Sequence, residues 1–416
     1  MRIMSRIVNQ PEIYPAYWCV HKSIMMESMP IASRLAVPFA LCASLLLPLT
    51  LMAKPAKGKF LMYVGTYTKD KSKGIYAYQF DAATGDVKEL GLAAEVDNPS
   101  FVAIHPNGRN LYAVSESSSI AAKRDGFVTA YTIDKQSGKL TKINDVLSGG
   151  GGPCHLVVDK TGKTLLVANY GTGSVASFPI NADGSLKPAA TIDQHKGSSV
   201  DKQRQAGPHA HSVNLSKDNR FLIVGDLGLD QVMVYKLNAM NGTIAANDPP
   251  FTKMAPGSGP RHFSFHPSGK YGYVINEMAL TVTAFQWNAK LGTLKEIQTI
   301  STLPKDADRT GASTAEVLVH PSGKWLYGSN RGHNTIALFN INQADGTLTA
   351  VDHTSTQGKV PRNFRIDPTG NYLFAANQNS DNIVMFRIDQ TNGKLTPTGK
   401  QLEVGAPVSI RFLALK

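Results

Sequence analysis

The chain has 416 residues, 42% hydrophobic and 18% charged, a balance that excludes a disordered or fibrous protein and leaves room for one large repetitive domain or two smaller ones. Its formal charge of +12 would suit a nucleic-acid binder, but the 43 Lys and Arg are spread thinly, mostly in turns such as Pro106-Asn107-Gly108-Arg109. The charge therefore reads as a basic surface that attracts small anions, with no nucleic-acid partner.

In chain order the first feature is Leu35 to Met52, "LAVPFALCASLLLPLTLM", an uncharged apolar run that follows Arg34 and ends in Ala53 before the basic Lys54-Pro55-Ala56-Lys57. This is the pattern of a secretory signal, with cleavage expected after Ala53. Residues 1–53 are then an N-terminal extension with its signal peptide, and residues 54–416 are the mature domain, placed in the periplasm. A membrane anchor is the competing reading. Pro38, Pro48 and the small-residue ending favour removal, so no stable membrane insertion is expected after cleavage. Residues 1–28 read as an overlong start, with Met25, Met26 or Met29 as alternative first residues. Leu41 makes Cys42 a poor lipoprotein site. Cys19 and Cys42 fall in the segment to be removed, which leaves Cys154 without an intramolecular partner and the mature chain without a disulfide.

Internal periodicity fixes the fold. An alternating apolar strand followed by a polar turn ending in Gly occurs seven times, ending at Gly85, Gly138, Gly184, Gly242, Gly292, Gly346 and Gly393. The 308 residues from the first of these to the last span six intervals, about 51 per repeat, so that seven repeats fill the mature chain. A second phrase interleaves with the first, as in "HFSFHPSGKYGYVINE" (262–277) and "NFRIDPTGNYLFAANQ" (363–378), each two alternating strands joined by a tight turn. Together the phrases give four antiparallel strands per repeat, which predicts an all-β, seven-bladed β-propeller. Only six copies of the second phrase are complete. The C-terminal "GAPVSIRFLAL" (405–415) matches its first half and "KFLMYVGT" (59–66) its second, so one blade is expected to be sewn from both termini.

In such a fold the first strand of each blade lines the central channel. Aligning the repeats on their turn residue places Ser100, Cys154, His211, Arg261, Ala315 and Arg362 at one level, with Phe101, His155, Ser212, His262, Glu316 and Asn363 beside them. The ends of the second strands give Glu116, Tyr170, Leu227, Glu277, Arg331 and Gln378. His211, Arg261, Glu277 and Arg331 therefore converge on the channel mouth as candidate catalytic residues. Glu277, beside basic groups, is expected to be ionised and to serve as a base or an electrostatic orienter. His155, His209, Arg204, Arg362 and Glu116 are candidate substrate-binding residues. Arg204 is carried on the insert Asp193–Ala206, which either covers the site or is a solvated loop. The pair His209 and His211 invites a zinc reading with His155 and Asp226, but Arg261, Arg331 and Arg362 would repel a cation. Neither a metal nor a cofactor is expected. The arginines suit an anionic or carbonyl-bearing ligand. The glycine strings at 149–152 and 257–259 precede no helix and are not read as phosphate loops. His105, His266 and His320 sit in the repeat's His-Pro-x-Gly turns and read as structural.

Through "HKGSSVDKQRQAGPHAHSV", "GPRHFSFHPSGKYGYVINE", "SNRGHNTIALF" and "VPRNFRIDPTGNYLFAANQ", the chain resembles over residues 59–416 the seven-bladed propeller lactonases, which include 6-phosphogluconolactonase and carboxymuconate-lactonizing enzyme. The resemblance implies that the family's histidine, two arginines and glutamate fall on His211, Arg261, Arg331 and Glu277. Export then favours an unphosphorylated sugar lactone, since the phosphorylated one belongs to the cytosol. The expected activity is hydrolysis of an aldonolactone such as gluconolactone, a small-molecule substrate. Three alternatives stay open: 6-phosphogluconolactone as substrate, a muconate-type lactonizing isomerase, and a propeller that only binds or scaffolds.

Overall fold

The computed structural model describes residues 58–69, 71–116 and 125–415, and their regular structure is entirely β: 28 strands in seven four-stranded antiparallel sheets. The expected signal segment lies outside the described residues. Six sheets use consecutive strands. The seventh has the order β28-β1-β2-β3, where β1 is Lys59–Thr66, β2 Gly74–Asp81, β3 Asp86–Glu95 and β28 Pro407–Leu415. β1 and β28 pair antiparallel from Lys59↔Leu415 to Gly65↔Ser409, so the two half-phrases form one blade as the sequence predicts. The protein is a seven-bladed β-propeller closed by its own ends.

The alternation of each strand puts one set of side chains on either face of its blade, and the core lies between neighbouring blades. Phe80 of β2 packs edge-to-face on Tyr372 and Phe374 of the preceding blade, with centroids 5.6 and 5.1 Å apart. Full burial of such a ring is worth about 1.5–3 kcal/mol. Polar clasps fix the blades in rotation. The ring Nε2 atoms of His105, His266 and His320 donate to the carbonyls of Gly162, Gly323 and Gly370, each in the next blade's turn. Tyr112, Tyr273 and Tyr327 likewise donate to Gly184, Gly346 and Gly393. A side chain at Gly323 would meet the His266 ring at 2.7 Å, and the residue's φ of 75° is itself hostile to a Cβ. The turn histidines are thus structural, as expected.

Four innermost strands carry the same irregularity at their upper ends. β8 (Pro153–Val158), β12 (Ala210–Leu215), β16 (Pro260–Phe265) and β24 (Pro361–Ile366) each slip register after their first residue. The extra residues are Cys154, His211, Arg261 and Arg362. A bulge turns its extra side chain away from the regular alternation, and here it gathers these four residues around the upper mouth of the channel.

Truncation after Val404, past β27 (Leu395–Glu403), removes β28 and leaves the inner edge of β1 unpaired. The expected product is insoluble or lacks a cooperative thermal transition. A soluble truncated chain with the parental melting temperature would show that closure contributes nothing.

Candidate active site

Glu277 follows β17 (Tyr271–Asn276) directly, and its backbone N–H donates to Gly259 O at 2.7 Å, which fixes it at the rim of the channel. Its carboxylate is gripped by three guanidiniums. Arg261 Nε donates to Oε2 at 2.9 Å, Arg331 Nη2 pairs with the same oxygen at 2.9 Å, and Arg204 Nη2 donates to Oε1 at 2.6 Å. Arg331 closes β21 (Trp325–Arg331), so a carboxylate from one blade is held by its own inner strand, its neighbour's second strand and the insert. Two carbonyls complete the frame: Arg261 Nη1 donates to Ala315 O and Arg331 Nη2 to Thr314 O, both at 2.7 Å. Arg331 Nε is buried without a hydrogen-bond partner.

Burial alone would raise the Glu277 pKa, but Arg331, Arg261 and Arg204 override it and hold the carboxyl far below the usual range. Burial, together with Arg362 and Arg331, brings Arg261 down to about 10, which leaves it charged at neutral pH. His211 sits against this cluster. Burial, then Arg261, His262 and Arg362, push its pKa well below that of free imidazole, so the ring is neutral. Its Nδ1 lies 3.7 Å from Cys154 Sγ, and its ring meets Tyr170 and His262 edge-on with centroids 5.1 and 5.4 Å away. Burial raises the Cys154 thiol far above its ordinary value, so it stays protonated and unreactive.

On the opposite side of the mouth Arg362 lies over the Tyr67 ring, 5.5 Å from its centroid, and Tyr67 Oη donates to Glu116 at 3.0 Å. Ser100 Oγ donates to the same Glu116 oxygen. The Arg362 guanidinium makes no hydrogen bond among the described residues. A small cavity among Glu116, Cys154, His211, Arg261, His262 and Arg362 leaves about 10 Å³ of free space, the room of one water.

The structure thus brings together Arg261, Glu277, Arg331 and Arg204 directly, with His211, Arg362 and Glu116 lining the cavity beside Arg261. The insert is anchored at three points and otherwise largely exposed: Ser199 Oγ donates to Asp230, Gln205 Nε2 donates to Leu227 O, and Arg204 reaches inward to Glu277 although its side chain is 43% exposed. His209 stands further out. It stacks on Tyr170 with centroids 4.4 Å apart and donates from Nδ1 to Tyr170 O. His155 lies one level deeper, packed on Phe101 and His262 with its Nδ1 accepting from Val213 N, and does not line the mouth cavity. Asp226 is spent on His195, at 2.5 Å, and on the backbone N–H groups of His209, Gly228 and Leu229. Two participants escape sequence reasoning. Tyr67 holds the second-strand position of the sewn blade, which an alignment of complete repeats omits, and Tyr170 stands in that column but carries no charge to draw notice.

A carboxylate ringed by fixed guanidinium forks beside a neutral imidazole is built to bind an oxyanion or carboxylate and to accept a proton, the equipment of an ester or lactone hydrolase. Comparison with known proteins gives the same class. Residues 61–412 match the family described as "Lactonase, 7-bladed beta-propeller", and the chain belongs to it. The 6-phosphogluconolactonases of Bacillus subtilis and Formosa agariphila are both 38% identical, over 74% of this chain and 85% and 86% of theirs. The periplasmic gluconolactonase PpgL of Pseudomonas aeruginosa is 34% identical, with a TM-score of 0.80 covering 86% of this chain and all of that one. The protein is an enzyme of the lactonase type.

Glu277→Gln leaves buried guanidiniums without their counter-charge, a change that typically costs about 3 kcal/mol; Arg204, being solvent-screened, contributes little of it. The expected result is a fall of several degrees in melting temperature at pH 7. Because the folded carboxyl is depressed, its stabilisation is complete above about pH 4.5, the unfolded value, and fades on acidification below it. The gap in melting temperature between parent and variant should therefore narrow as pH drops from 6 toward 3. A gap independent of pH would mean that Glu277 contributes through shape alone.

Proposed function

We propose that the enzyme hydrolyses an unphosphorylated aldonolactone, glucono-1,5-lactone, in the periplasm. The observation that carries the reading is the guanidinium cluster on Glu277, with the unpartnered Arg331 Nε at its edge, beside a neutral His211. The uncharged run 35–52 and the similarity to a periplasmic gluconolactonase support the location and the sugar.

In this mechanism water between His211 and the lactone gives its proton to the imidazole as its oxygen adds to C1. The carbonyl oxygen takes up the negative charge and is stabilised by Arg331 Nε–H and Arg362. Collapse of the tetrahedral adduct breaks the C1–ring-oxygen bond, and His211 returns the proton to that oxygen. The product is the open-chain acid, which ionises at neutral pH. Glu277 is too weak a base to drive the first step, since three guanidiniums stabilise its anion. Its part is to hold the arginine forks in place as a positioning residue.

A second substrate, 6-phosphogluconolactone, is favoured by the names of the 38%-identical relatives and by the surplus of cations at the mouth. Proton release at fixed pH, with spontaneous hydrolysis subtracted, separates the two. The proposal expects kcat/KM to be higher on the plain lactone. A clear preference for the phosphorylated one would transfer the assignment.

His211→Ala and Arg331→Lys should each lower the catalysed rate by about a hundredfold, the latter because lysine keeps the charge but lacks the fork and the Nε donor. Parental rates in both variants, with normal melting, would reduce the cluster to channel lining. Since the His211 base form survives acidification, the catalysed rate should stay flat from pH 8 through 6.5 and fall only below that. A midpoint at or above 6.5 would exclude His211 as the base. Export predicts an N-terminus near Lys54 by mass spectrometry of protein from its native host; an uncut, soluble chain would contradict it.

A further inference from the structure

The channel has a second chamber below the site, and its chemistry is different. The fifth residue of the inner strand is Val157, Asn214, Ser264, Arg365 and Arg411 in five of the blades, and Leu318 is its counterpart in the sixth, whose strand (Ser313–Val319) starts one residue earlier. All six line a cavity of about 650 Å³ that opens away from the Glu277 cluster. Its walls are mostly apolar, with Leu156, Val158, Leu215, Phe265, Ile366 and Phe412 among them. A chamber of this size matches the volume of small-molecule sites.

Two adjacent blades place arginines at the same height in this ring. The Arg365 side chain makes no hydrogen bond or ion pair among the described residues. The Arg411 side chain donates only to its own strand's neighbour, Ile410 O, and lies over the Phe101 ring, 4.3 Å from its centroid. The nearby carboxylates are committed elsewhere. Glu316 accepts from His262 Nδ1 at 2.9 Å, from Val317 N at 3.1 Å and from Asn363 Nδ2. Asp367 caps its own turn through the N–H groups of Thr369, Asn371 and Tyr372. The third cation of the chamber, Lys160, donates to Lys217 O. Burial first, then Arg365, brings the Arg411 guanidinium down to about 9, with Glu316 acting in the opposite direction, and both arginine side chains stay half-buried where they line the chamber. With no carboxylate hydrogen-bonded to either guanidinium, both keep donors free for an added anion.

We propose that this lower chamber is a second binding site, for a small carboxylate on an apolar body, such as a medium-chain or aromatic acid. The carboxylate would bridge Arg365 and Arg411, and the hydrocarbon would cover the ring of Leu156, Leu215, Phe265 and Leu318. This ligand differs from a sugar lactone, which is polar all round, and the proposal stands independently of the lactone assignment.

The test is calorimetric titration of the full mature protein with octanoate at low salt, alongside octanamide and inorganic phosphate. Saturable one-to-one binding of octanoate is expected, at least tenfold tighter than either control. Arg365→Met and Arg411→Met should each weaken it tenfold or more, while Arg365→Lys keeps most of it, and lactone hydrolysis should be unaffected in all three. Octanoate binding that is absent, matched by phosphate, or unchanged in both Met variants would overturn the proposal. Should one Met variant fail to fold, the other and Arg365→Lys decide the matter.

Discussion

The pairing of β28 with β1 is the constraint on which the rest depends. A propeller blade cannot bury its faces alone, and seven of them share one ring of interblade cores, so a break anywhere exposes two faces and two edges. Register in that one ladder also sets height. Lys59↔Leu415 through Gly65↔Ser409 places Arg411 level with Arg365 and Tyr67 level with Glu116 and Glu277. The channel's chemistry at both mouths is therefore a product of how the ends are sewn.

Height alone does not aim a side chain. The four inner-strand bulges turn Cys154, His211, Arg261 and Arg362 together at the upper mouth, where regular alternation would divide them from their neighbours differently. One carboxylate satisfies parts of three guanidiniums, while Arg331 Nε is left without a hydrogen-bond partner and the Arg362 guanidinium lines the mouth cavity. In the proposed mechanism Glu277 positions the arginine forks and is not the base, and proton transfer falls to His211, which burial first and then Arg261, His262 and Arg362 keep neutral.

Most of the fold was legible in the sequence because it repeats. Seven turn glycines at about 51-residue intervals and two complementary half-phrases sufficed for blade number and closure. The same alignment found Arg261, Glu277, Arg331 and His211, since equivalent positions in a propeller converge. It chose His211 over His209 correctly as the residue at the level of Arg261, and the structure adds the reason: His211 is the bulged residue, while His209 is held outside it by stacking on Tyr170. What the alignment lacked was side-chain direction and the sewn blade. His155 sits next to a mouth residue in sequence yet points into the deeper ring. Tyr67 belongs to no complete repeat. Arg365 and Arg411 lie below the level at which the repeats were aligned, so that comparison did not reach them.

A crystal structure with bound D-gluconate, the product of the proposed reaction, tests the central claim most directly. The account predicts the carboxylate at the upper mouth, with one oxygen within hydrogen-bond distance of Arg331 Nε and Arg362 and the C1 carbon facing His211. Gluconate bound elsewhere, with Arg331 Nε still unpartnered and His211 untouched, would contradict it.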